Sequence, residues 1–333
     1  MPLQTLHPSE ITDHRICPKK SHLKNTIGLR RTKQAAPLRR GIAGHNAFAA
    51  IMQGIPPEQV LQDVCEYYND DPLEGEIIGR LIIGYLWYYQ ADQFEPIEME
   101  SRSAKLINPE TNHSSTTHGM ELTAKYAYQK NGLTYFLKHK FASSGRDFGS
   151  GSAEFFNLKM DSEIGYNLLV AHQLDIDVVG YIVDVIKKPS IKPRKLTLKE
   201  LEEIEDTGVY CGEPADDETR AAVHELIVAR AAVKKGKPAI EIVEPFHLFG
   251  ARVLRSIEDD PSRYFERVEI YLAPNELEEF ASDLWQVHKS KQAGFFPRNP
   301  SACQQRGECE FLPVCGQCLD ITRPIDGYYY KNK

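Results

Sequence analysis

The sequence predicts an α/β protein in which a mixed central β-sheet is flanked by helices, with an α-helical N-terminal lobe ahead of the sheet and a cysteine-rich tail behind it. Three observations carry that expectation. Helical spacing of apolar residues dominates up to about Gln93, and at Glu95 the period changes to alternation. The nearly continuous apolar run Val178 to Ile186 then follows a helix at once, as a central strand covered on both faces would.

The elements follow in order. After a short loop, helical stretches broken by basic turns run from Pro8 to Gly54, with Ala43, Ala47 and Ile51 spaced for one helical face and His45 in the same helix. Two more helices are expected over Pro57 to Tyr68 and from about Leu73 to Gln93, then three strands over Ile97 to Leu106, Met120 to Gln129 and Leu133 to Phe141. Lys130-Asn131-Gly132 joins the last two, and Asn-Gly between β-rich runs signals a tight hairpin because both residues tolerate positive φ. Gly145 to Ser152 reads as a loop, and Asp161 to Leu174 as a helix with Ile164, Leu168 and Ala171 on one face. Beyond Lys187 come a Pro- and Lys-punctuated linker, a short acidic helix near Leu198 to Glu205 and a longer helix from about Asp217 to Lys235. A strand over Tyr264 to Ala273 and a helix from about Glu276 to Lys291 complete the set. The expected organisation is a helical lobe over 1–94, a sheet-bearing core over 95–190, a helical insertion with an edge strand over 191–295 and the tail over 296–333.

Of the 333 residues, 41% are apolar and 26% charged, which allows a sizeable core. No run of about 18 apolar residues occurs and no charged-then-apolar leader opens the chain, so no membrane span and a cytoplasmic protein are expected. The 47 acidic residues exceed the 40 Lys plus Arg, for a net charge of -7. That argues against a protein that coats duplex nucleic acid, because such affinity comes from pairing phosphates with Lys and Arg. Local basic sites remain, at Lys19, Lys20, Lys24, Arg30, Arg31, Lys33, Arg39 and Arg40, and again over Lys187 to Lys199.

Seven cysteines make an odd count that does not suit a complete disulfide framework. Cys303, Cys309 and Cys315 follow one another with five residues between successive members, on a loop containing Gly307 and Pro313 that lets three sulfurs turn to one point. Thiolates bind soft metals and a cubane cluster takes four of them, with Cys17 the candidate for the fourth corner. Zinc ligand pairs more often have two to four intervening residues, which favours iron–sulfur. Cys315-x2-Cys318 has zinc-like spacing, so a structural zinc and a place for Cys318 stay open.

Cys17-Pro18-Lys19-Lys20, the helix with Gly41-x3-His45, Lys138-His139-Lys140 at the end of the hairpin, Asp161-Ser162-Glu163-Ile164-Gly165-Tyr166-Asn167 and Arg298-Asn299-Pro300-x2-Cys303 occur in that order. Together they resemble the PD-(D/E)XK nuclease superfamily of the RecB-like, CRISPR-associated and phage exonuclease type with C-terminal iron–sulfur cysteines, over nearly the whole chain. The resemblance implies a restriction-endonuclease-like sheet over 95–190, a two-carboxylate site for Mg²⁺ or Mn²⁺, and a 4Fe-4S cluster stapling the tail to the N-terminal lobe. It implies Cys17, Cys303, Cys309 and Cys315 as cluster ligands, with Cys318 a bystander. It also implies a nucleic-acid partner, DNA before RNA, and a helicase or recombination partner.

The resemblance fails at the catalytic acids. Family members carry an Asp on the first hairpin strand and a Glu or Asp two residues before the Lys on the second. Lys140 keeps that lysine and His45 keeps the family histidine, but the acid positions fall on Lys125 and Lys138, and the helix motif Gln-x3-Tyr reads Glu163-x3-Asn167. Hard cations need carboxylate oxygens. One ammonium 4 Å away would repel a divalent ion by about 8 kcal/mol at an effective dielectric of about 20. The expectation is a nucleic-acid-binding protein with a degenerate nuclease centre. One rival is an active nuclease whose carboxylates have migrated, with Glu163, Asp161 and His45 rebuilding a metal site. The other is a scaffold or interaction protein that keeps only the fold. The plain readings stand beside these: Lys125 and Lys138 as solvent-facing strand residues, His45 as a core histidine, and Asp161 and Glu163 as acids favoured by a helix N-terminus.

Overall fold

The structure is a computed structural model that describes residues 3–33, 35–90, 97–232, 241–304 and 308–331. In chain order, a short strand β1 (Gln4–Thr5) precedes helices α1 (Pro8–Ile16) and α2 (Pro18–Ser21), a π-helical turn (His22–Thr26) and strand β2 (Leu29–Arg31). Helices α3 (Ala36–Met52), α4 (Pro57–Tyr67) and α5 (Pro72–Tyr88) follow. Next come β3 (Ile97–Glu98), β4 (Ser103–Ile107), β5 (Ser114–Glu121), β6 (Tyr126–Lys130) and β7 (Leu133–Ser143), then α6 (Ala153–Lys159), α7 (Ser162–Gln173) and β8 (Gly180–Lys188). The remainder is α8 (Leu198–Thr207), a hairpin of β9 (Val209–Tyr210) and β10 (Glu213–Pro214), α9 (Asp217–Ala232), α10 (Phe246–Asp259), β11 (Phe265–Ile270), α11 (Pro274–Gln292), α12 (Leu312–Gly316) and β12 (Tyr328–Tyr330).

The protein is a mixed α/β structure. Its five-stranded sheet has the order β11-β8-β7-β6-β3. Strand β8 runs parallel to β7, and the other pairings are antiparallel. The β6–β7 hairpin closes at Asn131 and Gly132, both at positive φ as Asn-Gly requires, and the register Lys130↔Leu133 makes the loop two residues long. Two helical layers cover the sheet. On one face Phe136, Tyr181, Val183 and Val185 share a core with α7 and with Phe280 and Leu284 of α11. On the other, Ile186 and Phe265 pack with α3, α4, α5 and α10 through Phe48, Ile82, Phe249 and Ile257. Gly44 lets α3 lie directly on β7, since a Cβ there would fall 1.9 Å from the Phe141 ring.

Three expectations need correction. The strand expected over Ile97 to Leu106 is two strands in two sheets, β3 and β4, and that over Met120 to Gln129 is likewise β5 and β6. Both segments cross between sheets together, held by Met99 N–H donating to Lys125 O and Leu122 N–H to Arg102 O. The alternating pattern runs through that crossing and hides it. The expectations also contain no helix over Phe246–Asp259, where α10 buries Leu248, Phe249, Val253 and Ile257. The tail is not only a cysteine loop, because β12 pairs with β2. The expected helix ends near Gln93 and Lys235 lie outside the described residues.

Candidate functional site

Alternation along β7 puts Phe136, Lys138, Lys140 and Ala142 on one face. Phe136 and Ala142 belong to the core, so the two lysines are drawn in beside it, and only 11% of the Lys138 side chain is exposed. The N-terminus of α7 supplies the counter-charge. Asp161 is its N-cap and accepts a hydrogen bond from Glu163 N–H at 2.9 Å, an arrangement that helix ends favour. Lys138 Nζ then lies 2.7 Å from Glu163 Oε2 and 3.2 Å from both Asp161 oxygens.

Burial opposes the charge of Lys138, but Glu163 and Asp161 more than offset it, and its pKa rises. Asp161 mirrors this: burial pushes its pKa up, Lys138 and the Glu163 N–H pull it further down, and the net shift is downward, with Lys140 adding to it. His45 stands beside the cluster with its side chain open to solvent. Desolvation by the surrounding protein lowers its pKa, Glu163 opposes this, and Lys138 reinforces it. Lys138, Lys140, Asp161 and Glu163 together carry two positive and two negative charges, so the site is balanced without any added ion.

Lys125 is not part of the cluster. The hairpin register, which pairs Ala127 with Phe136, would place it opposite Lys138, but β6 begins only at Tyr126 and Lys125 is exposed in the crossing segment. Asn167 explains why. Fully buried in α7, it accepts from the backbone N–H of Thr123 at 2.8 Å and of Ala124 at 3.1 Å, while Tyr166 Oη accepts from Glu121 N–H at 2.9 Å. These two residues hold the crossing segment off the ladder. The sequence offers them only as members of the segment Asp161 to Asn167, and a polar residue facing the core side of α7 is the signal that identifies the clamp. Tyr181, fully buried on the same sheet face, approaches Asn167 without meeting hydrogen-bond geometry.

The cysteines form a second assembly. Cys17, Cys303, Cys309 and Cys315 line one cavity of about 150 Å³, together with Lys19, Lys20 and Arg298. Asn299 N–H points at Cys17 Sγ from 3.4 Å, and Cys309 N–H donates to Cys303 O at 2.9 Å. Burial pushes the Cys309 and Cys315 thiols up, and each also feels the charge of neighbouring cysteines in the set. Cys318 is exposed and does not line the cavity; Cys65 on α4 and Cys211 in the β9–β10 turn lie elsewhere. Among the described residues no three His, Cys, Asp or Glu side chains gather closely enough to hold a single metal ion, and this applies to His45, Asp161 and Glu163 as well as to the thiols.

No family model, curated protein or solved structure matches this chain. Among the described residues no helix is long and apolar enough to cross a membrane.

Proposed function

We propose that the chain is a nucleic-acid-binding protein of PD-(D/E)XK-like build whose own lysine takes the place of the catalytic metal. The observation that carries this reading is the position of Lys138 Nζ between Asp161 and Glu163. A carboxylate pair beside a Lys on the central strand is the donor set a divalent cation would use, and here an ammonium already occupies it. Such a site lacks the metal-bound water that hydrolysis needs, but its lysines can still meet a phosphate as point charges. DNA is the favoured polymer, with a helicase or recombination enzyme supplying the chemistry this chain lacks.

The thiol cavity supports a 4Fe-4S cluster held by Cys17, Cys303, Cys309 and Cys315. Four thiols round one cavity, too open for a single ion, suit a polynuclear centre better than zinc, and the basic wall offsets the negative charge of a thiolate-bound cluster. When bound, the cluster would cross-link the two ends of the chain. The chain's own contacts already join them: Asn299 Nδ2 donates to Ile16 O at 2.8 Å, β12 pairs with β2, and Phe311 and Val314 pack on Leu23 and Leu29.

The test combines cleavage and binding. With Mg²⁺ or Mn²⁺ the protein should leave single- and double-stranded DNA intact, yet bind DNA with an affinity that falls steeply with salt. Metal-dependent cleavage that disappears on Glu163→Ala would establish the rival with migrated carboxylates. For the cluster, anaerobically purified protein should be brown with near-equal iron and sulfide. Cys309→Ser should lower both while Cys65→Ser leaves them unchanged, and a colourless protein with stoichiometric zinc would refute the assignment.

A further inference from the structure

A cavity of about 1040 Å³ lies between the N-terminal segment and the tail, and Lys138 is not part of its lining. Lys20, Lys24, Arg30, Arg31, Lys33 and Lys331 line it, against only Glu308 and Glu310. In a chain of net charge -7 this is a concentrated reversal of sign. Lys20 and Lys24 share Asp13, at 3.0 and 2.9 Å, and Arg30 donates to backbone carbonyls. Arg31, Lys33 and Lys331 are exposed and, among the described residues, have no carboxylate within ion-pair distance. Helix α3 begins at the same wall, and its N-cap Ala35 has no side chain to cap the first turn; with proline at position 37 and Arg39 N–H bonded to Ala35 O, Ala36 and Leu38 carry the N–H groups of that turn that an anion could use. Tyr329, a residue 48% exposed, completes the lining.

From these features we infer that the cavity is a binding site for single-stranded nucleic acid, with the backbone phosphates on Arg31, Lys33, Lys331 and the α3 N-terminus and a base on Tyr329. A positively charged groove with an aromatic platform is the arrangement by which proteins hold single strands without reading their sequence. An exposed aromatic ring favours a single strand over a duplex, because the bases of a single strand are free to stack on it while those of a duplex are already paired and stacked. Cys17, Cys303 and Cys309 form part of the same wall, so a strand in the cavity would lie against the thiol assembly. The inference rests on the nucleic-acid reading for the identity of the polymer, but places the strand at a site the Lys138 cluster does not share.

Fluorescence anisotropy of the full chain with a labelled oligothymidylate, and with the matching duplex, tests it. Arg31→Glu with Lys33→Glu should weaken single-strand binding at least tenfold and reduce the slope of log affinity against log salt by about 1.4, the value for two lost phosphate contacts. Tyr329→Ala should weaken it about fivefold or more with the slope unchanged. Lys331→Glu, a single exposed change, is the second variant should the double change disturb β2, and should lower the slope by about 0.7. Lys105→Glu, exposed on β4 and outside the cavity lining, serves as the control and should bind as the parent does. A parent that binds single strands while the cavity variants bind equally well would overturn this site and leave the nucleic-acid reading intact. Tighter binding of the duplex would overturn the strand assignment, and a parent that binds neither form at low salt would overturn both.

Discussion

Strands β7 and β8 carry a charged cluster on each face of the sheet, and the two are built differently. On the α7 face Lys138 meets Asp161 and Glu163, whose side chains are 23% and 41% exposed. On the α5 face Asp184, 1% exposed, is held by Arg267 through two hydrogen bonds and by the Tyr85 hydroxyl, with Tyr89 under the guanidinium at 4.2 Å and His139 stacked on Phe48 at 4.1 Å. The closed cluster has its partners locked in by packing and reads as structure. The open cluster has two partly exposed carboxylates around one tethered ammonium and is flanked by His45. That difference separates a network closed off by packing from one with solvent-facing carboxylates, although the residue types are nearly the same.

The comparison breaks most readily on the closed side. Arg267→Met leaves Asp184 buried without its cation and should cost about 3–5 kcal/mol in urea denaturation; a loss below about 1 kcal/mol, the range of exposed pairs, would show that this face is solvated too.

Acid should tell the faces apart next. Burial holds His139 down to about 4, against 6.5 for a free histidine. Between those values the unfolded chain binds a proton that the folded chain does not, so stability rises with pH through that window and falls as pH is lowered through it. The slope is about 1.4 kcal/mol per pH unit for this one residue. Lys138, raised above 10.5, and Asp161, lowered below 3.8, titrate outside the window, while His45, lowered from 6.5, adds a contribution of the same sign from the open side, so the change on removing His139 isolates the closed face. Stability measured from pH 4.5 to 7 should therefore flatten by about that slope in His139→Gln, and an unchanged slope would place His139 in contact with water.

Smaller effects sharpen the open side. Lys138→Met leaves two carboxylates that solvent can reach and should cost about 1 kcal/mol at neutral pH, reduced by salt that screens their repulsion. Lys125→Ala, outside the cluster, should stay within about 0.5 kcal/mol of the parent in the same assay. A larger loss would bring Lys125 back into the site.

Much of this was legible in the sequence where local chemistry decides it. Asn131-Gly132 fixed the hairpin, and the hairpin fixed the register that relates positions 125 and 138. The cysteine spacing grouped Cys303, Cys309 and Cys315 with Cys17 as candidate fourth and left a place for Cys318 open; the first four line one cavity and Cys318 does not. What could not be read depends on how separate elements approach. Lys138 looks like a charge that empties the site until α7 is seen to bring Asp161 and Glu163 onto it, and no spacing rule reports that approach. The same holds for His14, His118 and His288, more than 90% buried and scattered over α1, β5 and α11, which gather beside the Lys291–Glu10 ion pair with ring nitrogens left unpartnered.

The central claim is that the Lys138 ammonium is the resident cation of the α7 site. Calorimetric titration of Mn²⁺ into the parent and into Lys138→Asp tests it most directly. The account predicts no saturable binding by the parent in the millimolar range, and one site in Lys138→Asp that is lost again when His45→Ala is added. Saturable binding of one Mn²⁺ by the parent, abolished by Glu163→Ala, would contradict it.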